Sequence, residues 1–313
     1  MTIASYILDK IPSFVVDALL IGGIYITAKW TLNALSSVYK TLKIYGIPHC
    51  TSRDFVKEYG EWAVVTGASR GIGRSYAHEL AKRGLKLVLI ARNKALLDGV
   101  AVDIREKYNV EVLVVTADLS EKDSFEILRE TFEDKDIGIL VNNAGLIETP
   151  KYFTQMPDKK IEQMIMVNIY SLTTLTKMVL PQMITKRKGA VVNISSIGSL
   201  MPGPLNAMYS ASKVYVNFLS RALQAEYAHK NITIQCLTPG GVTTDMLDQV
   251  TTLKSNMVSP EDYASSAIRT LGVSSYTCGH WMSSLQSKPS DFLTLSMSKK
   301  ILSKYSPEPI KEL

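Results

Sequence analysis

Trp62-Ala63-Val64-Val65-Thr66-Gly67-Ala68-Ser69-Arg70-Gly71-Ile72-Gly73 is a short apolar run that passes directly into three glycines. Behind it, Ile72, Tyr76 and Leu80 recur at helical spacing until Gly84 closes the segment. The order is therefore strand, glycine loop, helix. Glycines let a backbone turn tightly and approach a pyrophosphate, while the free amides of a helix start attract its negative charge. Three residues separate the first two glycines, which differs from the G-x-G-x-x-G arrangement.

Downstream, residues 85–91 form a second apolar strand that ends at Arg92. In a dinucleotide fold that strand tip meets the adenosine ribose, where a carboxylate selects the 2'-hydroxyl and a cation accepts a 2'-phosphate. Arg92 at the tip and Arg70 in the glycine loop, with no carboxylate beside them in sequence, predict NADP(H) over NAD(H). The alternation continues: a helix through Leu96, Leu97, Val100 and Ile104, a strand over 110–116, a helix through Phe125, Leu128 and Phe132, and a strand over 137–141. These strands lack a polar face, so the expected fold class is α/β, a doubly wound parallel sheet of Rossmann type in three layers. Asp118 and Asn142-Asn143-Ala144-Gly145 stand at successive strand exits, where a bound nucleotide runs along the carboxyl ends of the strands.

Further on, the strand over 190–194 ends in Ser195-Ser196, thirteen residues before Tyr209. Tyr209 and Lys213 are four apart in an Ala/Ser-rich run that continues as an amphipathic helix, so the two side chains share one face. A phenol titrates near pH ~10 in water and an adjacent ammonium favours its phenolate, so Lys213 is expected to lower Tyr209 toward neutral pH. The Ser196 hydroxyl can face the same pocket. One long apolar-periodic segment over 161–183 carries Asn168, which is expected to hold a water or Lys213. The strand over 232–238 completes a sheet of six or seven strands, and Pro239-Gly240-Gly241-Val242-Thr243-Thr244 turns the chain back toward the cofactor.

The 313 residues are 46% hydrophobic and 20% charged, which is globular composition. A net charge of +6 suits an anionic membrane or a phosphorylated cofactor better than nucleic acid. Cys50, Cys236 and Cys278 are far apart, and His49, His78, His229 and His280 lack ligand spacing, so neither a disulfide scaffold nor a zinc site is expected. Residues 11–28 are almost continuously apolar, interrupted by Asp17 and followed by lysines. That run predicts a membrane-anchor helix with the following domain in the cytosol; a hairpin, an interfacial helix or a docked helix are its alternatives. The expected organisation is an anchor over 1–44, a polar connector over 45–59, a dinucleotide-binding domain over 60–285 and a tail over 286–313. Within the tail, residues 291–305 read either as a helix dipping into the membrane interface or as a short helix on the sheet edge.

Thr66-Gly67-x-x-x-Gly71-x-Gly73, Asp118, Asn142-Asn143-Ala144-Gly145, Asn168, Ser196, Tyr209-x-x-x-Lys213 and Pro239-Gly240 together resemble the short-chain dehydrogenase/reductase superfamily. The resemblance covers residues 60–275, with every motif position met. The apolar N-terminus, the Tyr59-Gly60-Glu61-Trp62 lead-in, the 135–141 strand and the insert over 200–208 look like its 17-beta-hydroxysteroid dehydrogenase and very-long-chain 3-oxoacyl-CoA reductase branch. Tyr152-Phe153-Thr154-Gln155 and Ser220-Arg221-Ala222-Leu223 are most similar to the hydroxysteroid dehydrogenase-like members, some of which lack the tyrosine kept here.

The resemblance implies hydride transfer between nicotinamide and a ketone or secondary alcohol, with Tyr209 as general acid/base, Lys213 lowering its pKa and holding the nicotinamide ribose, Ser196 bonding the substrate oxygen and Asn168 in a proton relay. The cofactor is expected on Gly67, Ser69, Arg70, Gly71, Ile72, Gly73, Arg92, Asp118, Asn143, Ala144, Gly145, Tyr209, Lys213, Pro239, Gly240, Val242 and Thr244. The substrate is expected to be a hydrophobic steroid or fatty acyl-CoA, in a pocket built from residues 200–208 and 244–257, which contain Met201, Leu205, Met208, Met246, Leu247 and Met257. A homodimer and an endoplasmic reticulum membrane location also follow from the resemblance, with the mitochondrion as the alternative. A non-catalytic, membrane-associated NADP-binding module acting through protein partners is the competing function.

Overall fold

The computed structural model describes residues 12–46, 53–248 and 257–287. The chain divides into two units, Met1–Cys50 and Thr51–Leu313. In the first, helix α1 (Ser13–Thr41) continues as a π-helical turn, Leu42–Gly46. At 1.5 Å per residue the 34 residues of Ser13–Gly46 extend about 50 Å, enough to cross a bilayer core of about 30 Å. None of its side chains is buried, and Phe14, Leu20, Ile24, Trp30 and Leu35 are exposed. The helix thus runs well beyond the apolar residues 11–28, and residues 29–41 contain no glycine or proline to stop it.

The second unit opens with α2 (Phe55–Tyr59), capped by the Asp54 carboxylate, which accepts the Lys57 amide at 3.0 Å. Residues 55–59, expected within the 45–59 connector, are thus helical and packed on the domain, while residues 47–52 lie outside the described residues. Phe55 and Tyr59 lie four apart, meet edge to face at 5.4 Å and are both buried in the core. Arg53 fastens the helix to the domain through Glu58, the Tyr59 hydroxyl and the Leu271 carbonyl.

Seven parallel strands follow: β1 (Trp62–Thr66), β2 (Lys86–Ala91), β3 (Val112–Thr116), β4 (Ile137–Asn142), β5 (Gly189–Ile194), β6 (Ile232–Leu237) and β7 (Tyr276–Thr277). Their order is β3-β2-β1-β4-β5-β6-β7. Successive residues of a strand face opposite sides, so each strand feeds two cores. On one side Ala63, Val65, Leu87 and Leu89 pack with Tyr76, Leu80, Leu97 and Tyr263 from helices α3 (Gly71–Ala81), α4 (Lys94–Tyr108) and α10 (Pro260–Arg269). On the other, Val64, Val88, Leu140 and Val191 pack with Phe125, Leu128, Val179 and Met183 from α5 (Ser124–Glu133) and α7 (Ser171–Lys186). Both sheet faces are covered, which gives the three-layer, doubly wound fold.

The stretch expected as one helix over 161–183 is α6 (Asp158–Ile165), a π-helical turn (Met166–Tyr170) and α7. The wider turn carries Asn168, which is 1% exposed. Helix α8 (Ala207–Tyr227) holds Tyr209 and Lys213, and α9 (Asp245–Asp248) and α11 (Trp281–Ser287) follow β6 and β7. Residues 291–305 lie outside the described residues.

Candidate active site

Strand order reverses between β1 and β4, and the crevice beyond the carboxyl ends of the strands at such a point is where open α/β sheets take ligands. At β1 the chain enters Gly67, at φ 64°, a left-handed conformation that favours glycine. Gly73 serves the turn by its size. A Cβ there would lie 2.3 Å from the Gly67 carbonyl oxygen and 2.4 Å from Asn143 Nδ2. Asn143 pins the turn from the β4 side: its Nδ2 donates to the Thr66 and Gly67 carbonyls at 2.9 and 3.2 Å, and its amide donates to Thr66 Oγ1 at 2.9 Å.

Two cavities of about 300 and 320 Å³ lie along this edge and share Gly67, Ser69, Arg70, Ala144 and Gly145. The inner one also holds Gly71, Ile72, Asn143, Ser196, Tyr209, Lys213, Pro239, Gly240, Val242 and Thr244. The outer one holds Arg92 and Asp118. Every residue expected at the cofactor therefore lines one of them except Gly73, which supports the turn from behind. The carboxylate absent beside Arg92 in sequence is supplied by the fold: Asp118 Oδ2 lies 3.8 Å from Arg92, and Asp245 pairs with Arg70 at 2.5 Å. Asp118 is held in place by the Ser120 amide and hydroxyl, which donate to its Oδ1 at 2.9 and 2.7 Å.

Tyr209 stands in the first turn of α8, with Lys213 one turn on. The Ser196 hydroxyl stands beside the Tyr209 phenol in this cavity, and its Oγ accepts the Gly198 amide at 3.0 Å. Lys213 is 5% exposed; its Nζ donates to the Ile194 carbonyl at 2.9 Å and lies 5.7 Å from the centre of the Tyr209 ring. Burial pushes the Tyr209 phenol above the ordinary tyrosine range, partly offset by the neighbouring Ser196 hydroxyl. Burial also lowers the Lys213 ammonium to about 8. The expected downward pull of Lys213 on the phenol is thus corrected: desolvation sets the sign at both groups, because both leave water on the same buried helix face.

Asn168, expected to hold a water or Lys213, forms a clasp instead. Its Oδ1 accepts the Leu146 amide at 2.7 Å, and its Nδ2 donates to the Leu146 carbonyl at 2.9 Å and to Ser212 Oγ at 3.0 Å. Ser212 in turn donates to the Tyr209 carbonyl at 2.7 Å, so the π-helical turn, the loop after β4 and the start of α8 are tied together. Ser195 Oγ adds a bond to the Lys213 carbonyl at 2.9 Å.

On the expected substrate side, Met246 and Leu247 line the inner cavity with Ile147. Leu205 instead lines a separate cavity of about 200 Å³ with Phe153 and Met156, Met201 and Met208 line neither, and Met257 lies against Gly241. Residues 249–256 lie outside the described residues. Ile147, Ser195, Ser212 and Asp245 were not legible as site residues. Ser195 and Ser212 adjoin motif residues and Ile147 lies two beyond Gly145, but small or apolar neighbours carry no chemical signal of their own, and Asp245 depends on a contact across 175 residues.

The sequence model for "short chain dehydrogenase" matches residues 61–254. Among curated relatives, "Inactive hydroxysteroid dehydrogenase-like protein 1" of Pongo abelii is 44% identical over 86% of this chain and 84% of its own length. "Very-long-chain 3-oxoacyl-CoA reductase" of Anas platyrhynchos is 41% identical over 83% of this chain and 82% of its own. Among solved structures, "Short-chain dehydrogenase from Sphingobium yanoikuyae in complex with NADPH" superposes with a TM-score of 0.67 at 29% identity, covering 80% of this chain and 99% of that one.

Proposed function

The chain belongs to the short chain dehydrogenase family, an oxidoreductase family, and from that premise we propose that it is an NADP(H)-dependent reductase of a ketone on a large apolar substrate, a steroid or a long-chain 3-oxoacyl-CoA. The observation that carries this reading is the convergence of Ser196, Tyr209 and Lys213 in the inner cavity, which Gly67 and Gly71 of the glycine turn also line. A nicotinamide cofactor held in the cleft would supply the hydride for the carbonyl carbon. Tyr209 gives its proton to the carbonyl oxygen as the C=O π bond becomes a C–H and an O–H, and Ser196 offers a second hydrogen bond to that oxygen. In the oxidative direction the proton returns to Tyr209. Lys213, anchored on the Ile194 carbonyl, holds a positive charge beside the phenol and toward the ribose. The glycine turn, with the space that Gly73 leaves behind it, suits a pyrophosphate, and Arg70 and Arg92 suit a 2'-phosphate. Ile147, Met246 and Leu247 give the substrate side its apolar wall.

In this reading the enzyme sits on the endoplasmic reticulum membrane with the second unit in the cytosol, which the long apolar helix α1 and the lysines that follow its apolar run support. Protease protection of intact microsomes tests this, and loss of the second unit only after detergent would overturn it.

A second reading, a non-catalytic NADP-binding module acting through protein partners, rests on the word "inactive" in the name of the 44%-identical relative. The two are separated by assaying membranes with NADPH against 17-ketosteroids, retinals and 3-oxoacyl-CoAs, wild type beside Tyr209→Phe. Tyrosine-dependent turnover of one substrate supports the enzyme. NADPH binding with no such turnover supports the module.

Lys213 also gives a pH dependence. With the free group titrating at about 8, it is charged below that pH, and an anionic ligand favours the charged form. Above pH 8 binding must take up a proton, so NADPH affinity is expected to fall by up to about tenfold per pH unit. Titration calorimetry between pH 7 and 9 checks this, with Lys213→Met expected to flatten the profile. A flat wild-type profile would remove Lys213 from cofactor binding.

A further inference from the structure

The Arg70–Asp245 ion pair joins the glycine turn to α9, and what it does to ligand choice rests on the reading that NADP(H) binds in this cleft. Nη1 of Arg70 lies 2.5 Å from Oδ2 of Asp245. The two segments meet a second time at the next residues, where a Cβ on Gly71 would lie 2.9 Å from the Thr244 methyl. Arg70 lines both cavities, whereas Asp245 lines only the inner one, next to Met246 and Leu247. The outer cavity contains a second cation, Arg92.

Arg70 therefore has a choice of partners. On the inner side is the Asp245 carboxylate; on the outer side, beside Arg92, is the place for a phosphate on the adenosine ribose. The side chains of the pair are 60% and 64% exposed, so water screens it and it holds Arg70 only weakly. A phosphate shared by two guanidinium groups, with charge-assisted and bidentate bonds, is the stronger partner. We propose that Asp245 is a specificity-determining residue: it competes with the cofactor's 2'-phosphate for Arg70, so that NADPH, and not NADH, frees α9 and with it the Met246 and Leu247 wall of the substrate pocket.

The cofactor that binds thereby sets the freedom of the substrate side. An NADH molecule leaves the pair closed, because nothing on its ribose draws Arg70 outward.

The test uses the full-length protein in detergent micelles at low ionic strength, with calorimetric Kd values for NADPH, NADH and adenosine 2',5'-bisphosphate. Asp245→Asn is nearly isosteric at an exposed site. It is expected to tighten NADPH and the bisphosphate about 1.4- to fivefold, the range of an exposed pair, with NADH unchanged. In an Arg70→Ala background the gain should vanish. Hydrogen exchange at residues 244–248 of the wild type should quicken with the bisphosphate and not with NADH. Equal tightening of NADH, a gain that persists without Arg70, or no gain at all would each overturn the inference. A wild type that binds no NADPH would overturn the functional reading along with it, whereas NADPH binding with no Asp245 effect would overturn this inference alone.

Discussion

Tyr209→Phe is expected to lower kcat for ketone reduction by about 10²–10⁴-fold, the contribution of a positioned general acid. The substitution removes one oxygen and keeps the ring, so NADPH affinity and the thermal transition should hardly move. The hydroxyl it deletes neighbours Ser196, and Ser196 keeps its hydrogen bond from the Gly198 amide, so a partner remains at the serine oxygen. The stability cost of one hydrogen bond is about 1 kcal/mol. The missing proton is another matter: the oxygen of the reduced carbonyl must then be protonated by a group whose position the fold has not prepared. Ser196 cannot replace it, because its hydroxyl is far less acidic than a phenol. Steady-state kinetics on the purified variant check the expectation, and retention of more than about a tenth of the wild-type kcat would remove Tyr209 from the acid/base role.

Gly73→Val is the second large effect, expected on stability and cofactor binding together. The first added carbon alone would sit 2.3 Å from the Gly67 carbonyl oxygen and 2.4 Å from Asn143 Nδ2, so α3 must move away from the turn or the turn must open. The Gly67 carbonyl is backbone, and Asn143 is held by Thr66 and Gly67 on the β1 side, so neither contact yields cheaply. An overpacked site of this kind costs about 3 kcal/mol. Displacement of the turn should weaken NADPH binding about 10- to 100-fold, the loss of one hydrogen bond to a charged phosphate, about 1.5–3 kcal/mol. Denaturant unfolding and calorimetry read the two effects separately. A variant with wild-type stability and wild-type NADPH affinity would show that the turn does not bear on the cofactor, and the dinucleotide reading of the glycine stretch would fall.

Much of the architecture is legible in the sequence. Apolar runs bounded by glycine, and helical periodicities between them, are local properties of the chain, so β1 to β6 and the helices that cross between them follow from the residues themselves. Proximity of Tyr209 and Lys213 is equally local, since four residues on a helix make one turn. Boundaries were harder. Phe55 and Tyr59 sit among polar residues, and only their burial against the sheet shows that α2 belongs to the core. Likewise the π-helical turn at Met166–Tyr170 leaves the apolar period almost undisturbed, yet it decides where Asn168 points its amide.

From its residues alone, the chain determined an alternating parallel fold, a glycine turn for a dinucleotide and a tyrosine–lysine pair, because each depends on spacing within a few turns of backbone. Tertiary structure decided the sign of the Tyr209 and Lys213 shifts, the clasp of Asn168 on Leu146 and Ser212, and the pairing of Arg70 with Asp245. The physical reason is common to all three. Desolvation and contacts between distant segments arise only when the sheet brings its carboxyl ends together, and no local pattern of residue types encodes the distance from water or from a partner so remote along the chain.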